Sequence, residues 1–84
     1  MKDVIPLLRS KLKIAILVAL TKESLTPLML SKIIKHPRPS ISRVILELEK
    51  DGLVKCLNPK ADRWREYIII TKGKAALVAL KRFT

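Results

Sequence analysis

The sequence predicts a mostly helical α+β domain with a three-helix core, a two-stranded β hairpin and a C-terminal helix. Three observations predict it. Apolar residues recur at helical spacing over residues 39–51, Gly52 follows that segment, and two short apolar runs then flank a basic turn before a last helical pattern. This order of elements is that of a winged helix-turn-helix. We expect residues 1–84 to form this one domain without a second.

The first helix is predicted over about residues 4–22, with Asp3 or a neighbour as its cap and Pro6 in its opening turn. Its second half, from Leu12 to Leu20, is apolar nearly all round. A helix without a polar face belongs in the centre of a core or is shared with a second subunit.

The second helix is predicted over about residues 27–35, because Thr26 followed by Pro27 is a good N-cap and first-turn pair. The segment 36–39 contains two prolines and is short, so it holds the next helix at a fixed angle. The third helix, about residues 39–51, places apolar side chains on one face; these are Ile41, Val44, Ile45 and Leu48. Its other face is left for a partner.

Residues 53–70 are predicted to form the hairpin, called the wing below, with its turn at 58–63. Gly52 separates it from the third helix because glycine tolerates the left-handed conformation of a helix end. A last helix is predicted over about residues 72–83, with Thr71 as its cap.

The chain carries 18 Lys and Arg against 7 acids, a net charge of +11. Such an excess indicates a polyanionic partner, which is nucleic acid or, less often, an acidic membrane surface. The lone Cys56 excludes a disulfide framework and a cysteine-rich zinc site, and is typical of a reducing compartment. No signal peptide is visible and the apolar run 14–20 is too short to span a bilayer, so we expect a cytoplasmic protein.

The positive charge is concentrated on the helix-turn-helix, since no Asp or Glu occurs between Ser24 and Leu46. The third helix is narrow enough for a DNA major groove, where Arg43 would pair with guanine O6 and N7 and Ser40 and Ser42 would bond bases or phosphate. The residues predicted to contact the DNA backbone are Thr26 with the amides that open the second helix, Lys32, Lys35 and His36. The wing residues predicted to contact flanking backbone or minor groove are Lys60, Arg63 and Arg65.

Three side chains on this side have more than one interpretation. Leu46 would touch a thymine methyl or simply be an exposed leucine. Glu47 would accept from cytosine N4, but an ion pair with Arg43 at i−4 is favoured. Trp64 would stack at the hairpin base, wedge against sugar or pack on a partner subunit, and packing is favoured.

Three segments carry a family resemblance: Ser40-Ile41-Ser42-Arg43, Leu48-Glu49-Lys50-Asp51-Gly52-Leu53-Val54, and Tyr67 to Ala75 with its Thr71-Lys72-Gly73-Lys74 start. Over roughly residues 12–80 the chain resembles the winged helix-turn-helix of the MarR, PadR and ArsR regulators, a group of small prokaryotic transcription regulators. The resemblance implies double-stranded DNA binding by a homodimer, with base contacts from the third helix and its entry. The residues so implied are Arg38, Ser40, Ser42, Arg43 and the wing bases, and Leu46 is added from its position.

The chain departs from this family in the turn, where Lys35 and His36 stand in place of a glycine and an apolar residue, and Pro37 in place of a capping Ser. It also lacks the additional dimerisation helices of longer MarR relatives, so a dimer would form from the first and last helices. The predicted dimer interface consists of Leu8, Leu12, Leu77, Leu80 and Phe83.

The residues argue against an enzyme. His36 is the one histidine, no nucleophile pattern surrounds it, and the acids show no metal-ligand spacing, so we expect no catalytic residue, metal or cofactor. Two other functions remain open: a winged helix that docks a protein in the transcription or replication machinery, and a non-specific nucleic-acid binder. Whether a small-molecule effector exists cannot be read from the sequence.

Overall fold

The computed structural model of the protein describes residues 10–81. The elements are helix α1 (Lys11–Leu20), α2 (Pro27–Ile34), α3 (Arg38–Lys50), strands β1 (Val54–Cys56) and β2 (Tyr67–Ile69), and helix α4 (Thr71–Lys81). The predicted fold class is confirmed, with four helices and a two-stranded antiparallel sheet in the described part of the chain.

Helix α1 begins later than the sequence predicts. Ser10 has extended backbone angles (φ −131°, ψ 99°), and its hydroxyl accepts a hydrogen bond from the Lys13 amide at 3.2 Å. This cap starts the helix at Lys11, because Ser is a favoured N-cap residue. The prediction of one continuous helix over about residues 4–22 is therefore wrong at Ser10. The proposed caps and Pro6 turn before Ser10 lie outside the described residues.

The turn between α2 and α3 is tight. Lys35 adopts the left-handed conformation (φ 61°, ψ 51°) that ends α2, and the His36 amide donates to the Ser31 carbonyl at 3.1 Å. Pro37 then occupies the N-cap position of α3 without any side-chain cap bond, and α3 starts at Arg38. Two short helices are thereby fixed at an angle by backbone hydrogen bonds and prolines.

The wing pairs Val54 with Ile69 and Cys56 with Tyr67 in antiparallel register. Leu25, ahead of α2, adds an isolated bridge to this sheet: its amide donates to the Tyr67 carbonyl at 3.0 Å, and the Tyr67 amide donates back at 2.9 Å. The sheet therefore joins the wing to the start of α2. Both strands are shorter than the predicted runs: Trp64 and Arg65 lie in the loop, although the Leu57 amide still donates to the Glu66 carbonyl at 2.8 Å beyond the end of the strands.

The core lies where α1, α3 and the sheet meet. Its fully buried large side chains come from every layer: Ile16, Leu17, Leu20, Leu30, Ile41, Ile45, Leu48 and Val54. Helix α4 closes it with Ala76 and Leu80, which are 6% and 8% exposed. Aliphatic packing thus positions α3 with one face buried and the other in solvent.

Candidate nucleic-acid interface

Helix α3 offers a polar face to solvent because its apolar face is buried. Ile41, Ile45 and Leu48 are at most 1% exposed, whereas Arg43 and Lys50 are exposed. Ser40 and Ser42 are half-buried. The helix therefore presents Arg43 to a partner on the side away from the core, as a groove-reading helix must.

Glu47 differs from the favoured prediction of an ion pair with Arg43. Its carboxylate lies 3.3 Å from the Lys13 ammonium of α1. The predicted Glu47–Arg43 pair is wrong because α1 packs beside α3 and brings Lys13 close to Glu47. Helical spacing within α3 alone does not reveal this contact. Within residues 10–81, Arg43 has no carboxylate at ion-pair distance, so its guanidinium is available for an anionic ligand.

Four exposed side chains lie in and beside the turn that precedes α3: Lys32, Lys35, His36 and Arg38. Three of them, Lys32, Lys35 and Arg38, are cations. No acid lies between them in sequence, so their fields add rather than cancel. All four of these predicted contact residues are therefore accessible to a partner.

Thr26 is a correction to the predicted backbone contacts. It is 8% exposed, and its hydroxyl accepts from the Met29 amide at 3.2 Å. The hydroxyl is thus used as the N-cap of α2, and the buried side chain does not face a partner. The sequence identified the cap correctly but did not predict its burial, which occurs next to the Leu25–Tyr67 bridge.

The wing tip is held in one conformation by Asn58, which the sequence analysis did not single out as a functional residue. Its side-chain oxygen accepts from the Glu66 amide at 2.7 Å, and its amide nitrogen donates to the Trp64 carbonyl at 3.1 Å. Arg65 adds a bond from Nε to the Ala61 carbonyl at 2.9 Å. The Asn-Pro pair that begins the turn is the sequence signal that could have indicated this role.

Replacing Asn58 with Ala is expected to lower the free energy of unfolding by about 1–2 kcal/mol, because two hydrogen-bonding groups of the loop lose their partner. Urea denaturation would measure the change. Lys60→Ala, in the same loop but at an exposed side chain, is the matched control and should stay within about 0.5 kcal/mol of the parent chain. Equal stabilities of the Asn58 and Lys60 variants would contradict the role assigned to Asn58.

A cleft of about 330 Å³ separates the wing from α3. Its walls bring together Arg38, Ser42 and Leu46 from α3 and its entry with Asp62, Arg63, Trp64 and Arg65 from the wing. Tyr67 lies in the same wall; burial raises the pKa of its hydroxyl, and a hydrogen bond from Arg65 opposes that rise. Tyr67 therefore stays neutral at physiological pH and does not cancel the charge of Arg65.

Trp64 does not pack on its own subunit in the described part of the chain, and its packing on a partner subunit stays a prediction. Its side chain is 62% exposed, and its backbone has a φ of 58°. The turn takes Trp64 out of the ladder before β2 begins, so the residue lies in the loop rather than at the hairpin base. Lys60 is also exposed at this tip but does not line the cleft.

Two of the predicted dimer residues, Leu77 and Leu80, line a groove of about 570 Å³ between α1 and α4. Leu12 and Leu77 are half-buried against the core and Leu80 is buried, while Leu8 and Phe83 lie outside the described residues. Ala76 and Leu80 of α4 also close the core of their own subunit. Val18 and Val78, which the sequence did not single out, line the same groove and are exposed at 50% and 56%.

Cys56 is half-buried, with its thiol 3.5 Å from the Asn58 side-chain oxygen. No group of three or more metal-ligating side chains occurs within residues 10–81. No helix in that range is long and apolar enough to cross a membrane.

Replacing Lys35 with Gly is expected to raise the free energy of unfolding by about 0.5–1 kcal/mol, since Gly adopts a φ of 61° without steric cost. Lys35→Ala removes the same charge but keeps the strain, so it should not stabilise. Thermal unfolding measures both. Duplex DNA affinity should fall equally in the two variants, since both lose the same charge. Equal stability of the two variants would contradict backbone strain at Lys35.

No family model and no curated protein matches the chain. Among solved structures it is similar to the crystal structure of a MarR family transcription regulator, with a TM-score of 0.76 and 27% identity. The match covers 87% of this chain and 50% of that one, so this chain spans about half the length of the regulator. The resemblance predicted from the sequence is confirmed: the chain has the winged helix-turn-helix fold of a MarR family transcription regulator.

Proposed function

We propose that this chain is a transcription regulator that binds double-stranded DNA sequence-specifically. Helix α3 would enter the major groove, and the basic wing would contact the flanking backbone or minor groove. The observation that carries the proposal is the exposed face of α3, where Arg43 lies without an acidic partner among residues 10–81, together with the exposed cations in and beside the turn that precedes α3. The similarity to a transcription regulator supports the same class of function.

Side-chain chemistry indicates which residues would contact bases and which would contact phosphates. Arg43 would read guanine through its two parallel donors, and Ser42 and Arg38 would contact neighbouring base edges at the side of α3 that faces the wing. Lys32, in the last turn of α2, and Lys35 and His36, in the turn that precedes α3, would contact phosphates because all three are exposed there. Lys60, Arg63 and Arg65 would do the same from the wing.

The proposal is tested by titrating labelled duplex DNA with the protein over a series of salt concentrations. If about five to seven phosphates are contacted per subunit, log K should fall against log salt with a slope of about −4.5 to −6 for each bound subunit. A slope near zero would contradict a phosphate-based interface. Binding to duplex DNA without any preference among sequences would replace this proposal with a non-specific binder.

We also infer that the regulator works as a cytoplasmic homodimer in which a second copy covers the groove between α1 and α4. The groove exposes Val18 and Val78, and isolated subunits rarely leave such a continuous apolar strip in water. Because the groove is formed by α1 and α4, an interface there would not use side chains of α3. Two such helices would meet successive major grooves about 34–36 Å apart on a pseudo-palindrome.

Replacing Val78 with Glu is expected to shift the chain from dimer to monomer in analytical ultracentrifugation, because a carboxylate would be buried against apolar side chains. Ile33→Glu is the matched control, since Ile33 is equally exposed at 57% but lies on α2 outside the groove. A monomeric parent chain, or a dimer that survives Val78→Glu, would contradict the inferred interface.

A protein-docking winged helix is the second candidate. Met29 and Ile33 are 50% and 57% exposed one turn apart on α2, and Leu46 is 54% exposed on α3. Apolar side chains of this size favour a protein partner over a phosphate backbone. Failure of the chain to retain any duplex DNA would favour this candidate.

A further inference from the structure

The cleft between α3 and the wing contains two exposed apolar side chains surrounded by arginines. Trp64 from the wing and Leu46 from α3 line the same cleft and are 62% and 54% exposed. Trp64 is also the one tryptophan of the whole chain. Exposing two large apolar side chains at one site is unfavourable in water unless a ligand covers them.

The wing holds Trp64 in this place before any ligand binds. Its backbone is in the left-handed region, which bulky residues rarely adopt, and its carbonyl is fixed by the Asn58 amide at 3.1 Å. Arg65 fixes the other side of the loop through the Ala61 carbonyl. Gly or Asn would adopt this backbone conformation at a lower cost, so the conformation is unfavourable for the tryptophan that occupies the position.

The charges around the pair identify the kind of partner. Three guanidinium groups line the cleft, those of Arg38, Arg63 and Arg65, against the single carboxylate of Asp62. An anionic ligand with an apolar portion therefore fits it. A sugar–phosphate strand has both parts, with phosphates for the arginines and the carbon face of deoxyribose for an indole.

The position of the cleft selects the same ligand. One strand of a duplex separates its major groove from its minor groove. A protein with α3 in the major groove and its wing tip over the minor groove must therefore place that strand between them. The cleft lies between α3 and the wing, which is where such a strand would pass.

We propose that this cleft is the seat of one sugar–phosphate strand and that Trp64 is a binding residue whose ring packs on the deoxyribose. Leu46 forms the opposite apolar wall, and the two wing arginines, Arg63 and Arg65, pair with the adjacent phosphates. The inference rests on the proposed binding of duplex DNA and adds a contact that is uncharged and independent of base sequence.

Because Trp64 is the sole tryptophan, its fluorescence reports the contact directly. Acrylamide quenching of the parent chain is compared without DNA and with saturating duplex, and binding is followed separately by the anisotropy of a dye on the DNA. The proposal expects at least a twofold fall in the quenching constant on saturation. An unchanged constant under full binding overturns the inference and leaves the proposed function standing.

Substitutions of Trp64 measure what its aromatic ring contributes to DNA affinity. Trp64→Ala should weaken binding about tenfold on preferred and random duplexes alike, and the slope against log salt should not change, since no charge is lost. Trp64→Phe should restore affinity to within about threefold of the parent chain. Arg63→Ala is the matched charged control and should reduce the salt slope by about 1 per subunit.

Three results would overturn the inference: parent-like affinity of Trp64→Ala, a loss restricted to the preferred sequence, or no rescue by Trp64→Phe. A loss confined to one sequence would assign Trp64 to a base edge such as a thymine methyl instead. If the parent chain produces no anisotropy change with any duplex, the proposed function fails, and the inference fails with it.

Discussion

Replacing Gly73 with Ala is expected to lower the free energy of unfolding by about 2–3 kcal/mol, although the change improves helix propensity. A Cβ at this position would overlap the Leu53 carbonyl oxygen and lie 2.6 Å from the Ile69 Cγ1. The Leu53 carbonyl is fixed because it accepts from the Ile70 amide at 3.1 Å. Backbone cannot rotate away as a flexible side chain would, so α4 must move off the wing.

Urea denaturation of the parent chain and two variants tests this expectation. Gly52→Ala is the comparison, because a Cβ there meets only the Lys72 side chain, at 3.8 Å, while the φ of 77° remains unfavourable for Ala. That variant should lose about 1 kcal/mol from backbone strain alone. A Gly73→Ala variant as stable as the parent would show that α4 does not pack directly on the wing.

Replacing Arg43 with Ala is expected to cost about 1–3 kcal/mol on the preferred duplex and little on random DNA. The exposed guanidinium lies on the face of α3 opposite its buried stripe, and Glu47, the acid that helical spacing would offer it, pairs with Lys13. The fold should therefore be unaffected, and the loss should be confined to base readout. Competition binding on matched preferred and scrambled duplexes measures both affinities.

Lys32→Ala is the control for Arg43→Ala. It also removes one exposed positive charge, but from the turn side of α2, where a phosphate contact is proposed. Both duplexes should lose affinity equally, with a shallower dependence on salt. If Arg43→Ala likewise weakens both duplexes equally, Arg43 contacts phosphate and the base-readout assignment is wrong.

The parts of the fold that the sequence predicted well are those set by local chemistry. Thr26 and Pro27 start α2 through a cap and a fixed φ, and Gly52 follows α3 with a positive φ. The buried stripe of α3 also follows directly from its periodicity. These features depend on residues that are neighbours in the chain, so one sequence is enough to find them.

The features that the sequence did not predict depend on residues distant in the chain. Glu47 pairs with a lysine of α1, and Thr26 is buried next to Leu25, which bridges to Tyr67. The need for glycine at position 73 arises from the Leu53 carbonyl on the wing. Helical spacing assigns a residue to a face, but the element packed on that face decides whether the residue is core, interface or DNA contact.

Selection from random duplex DNA by the purified protein at near-physiological salt, followed by sequencing of the retained molecules, tests the central claim most directly. We expect an enriched pseudo-palindrome whose half-sites lie about 10 base pairs apart, because two copies of α3 would read successive major grooves. Enrichment should disappear in the Arg43→Ala variant. Retention without any enriched sequence, or no retention at all, would contradict a sequence-specific regulator.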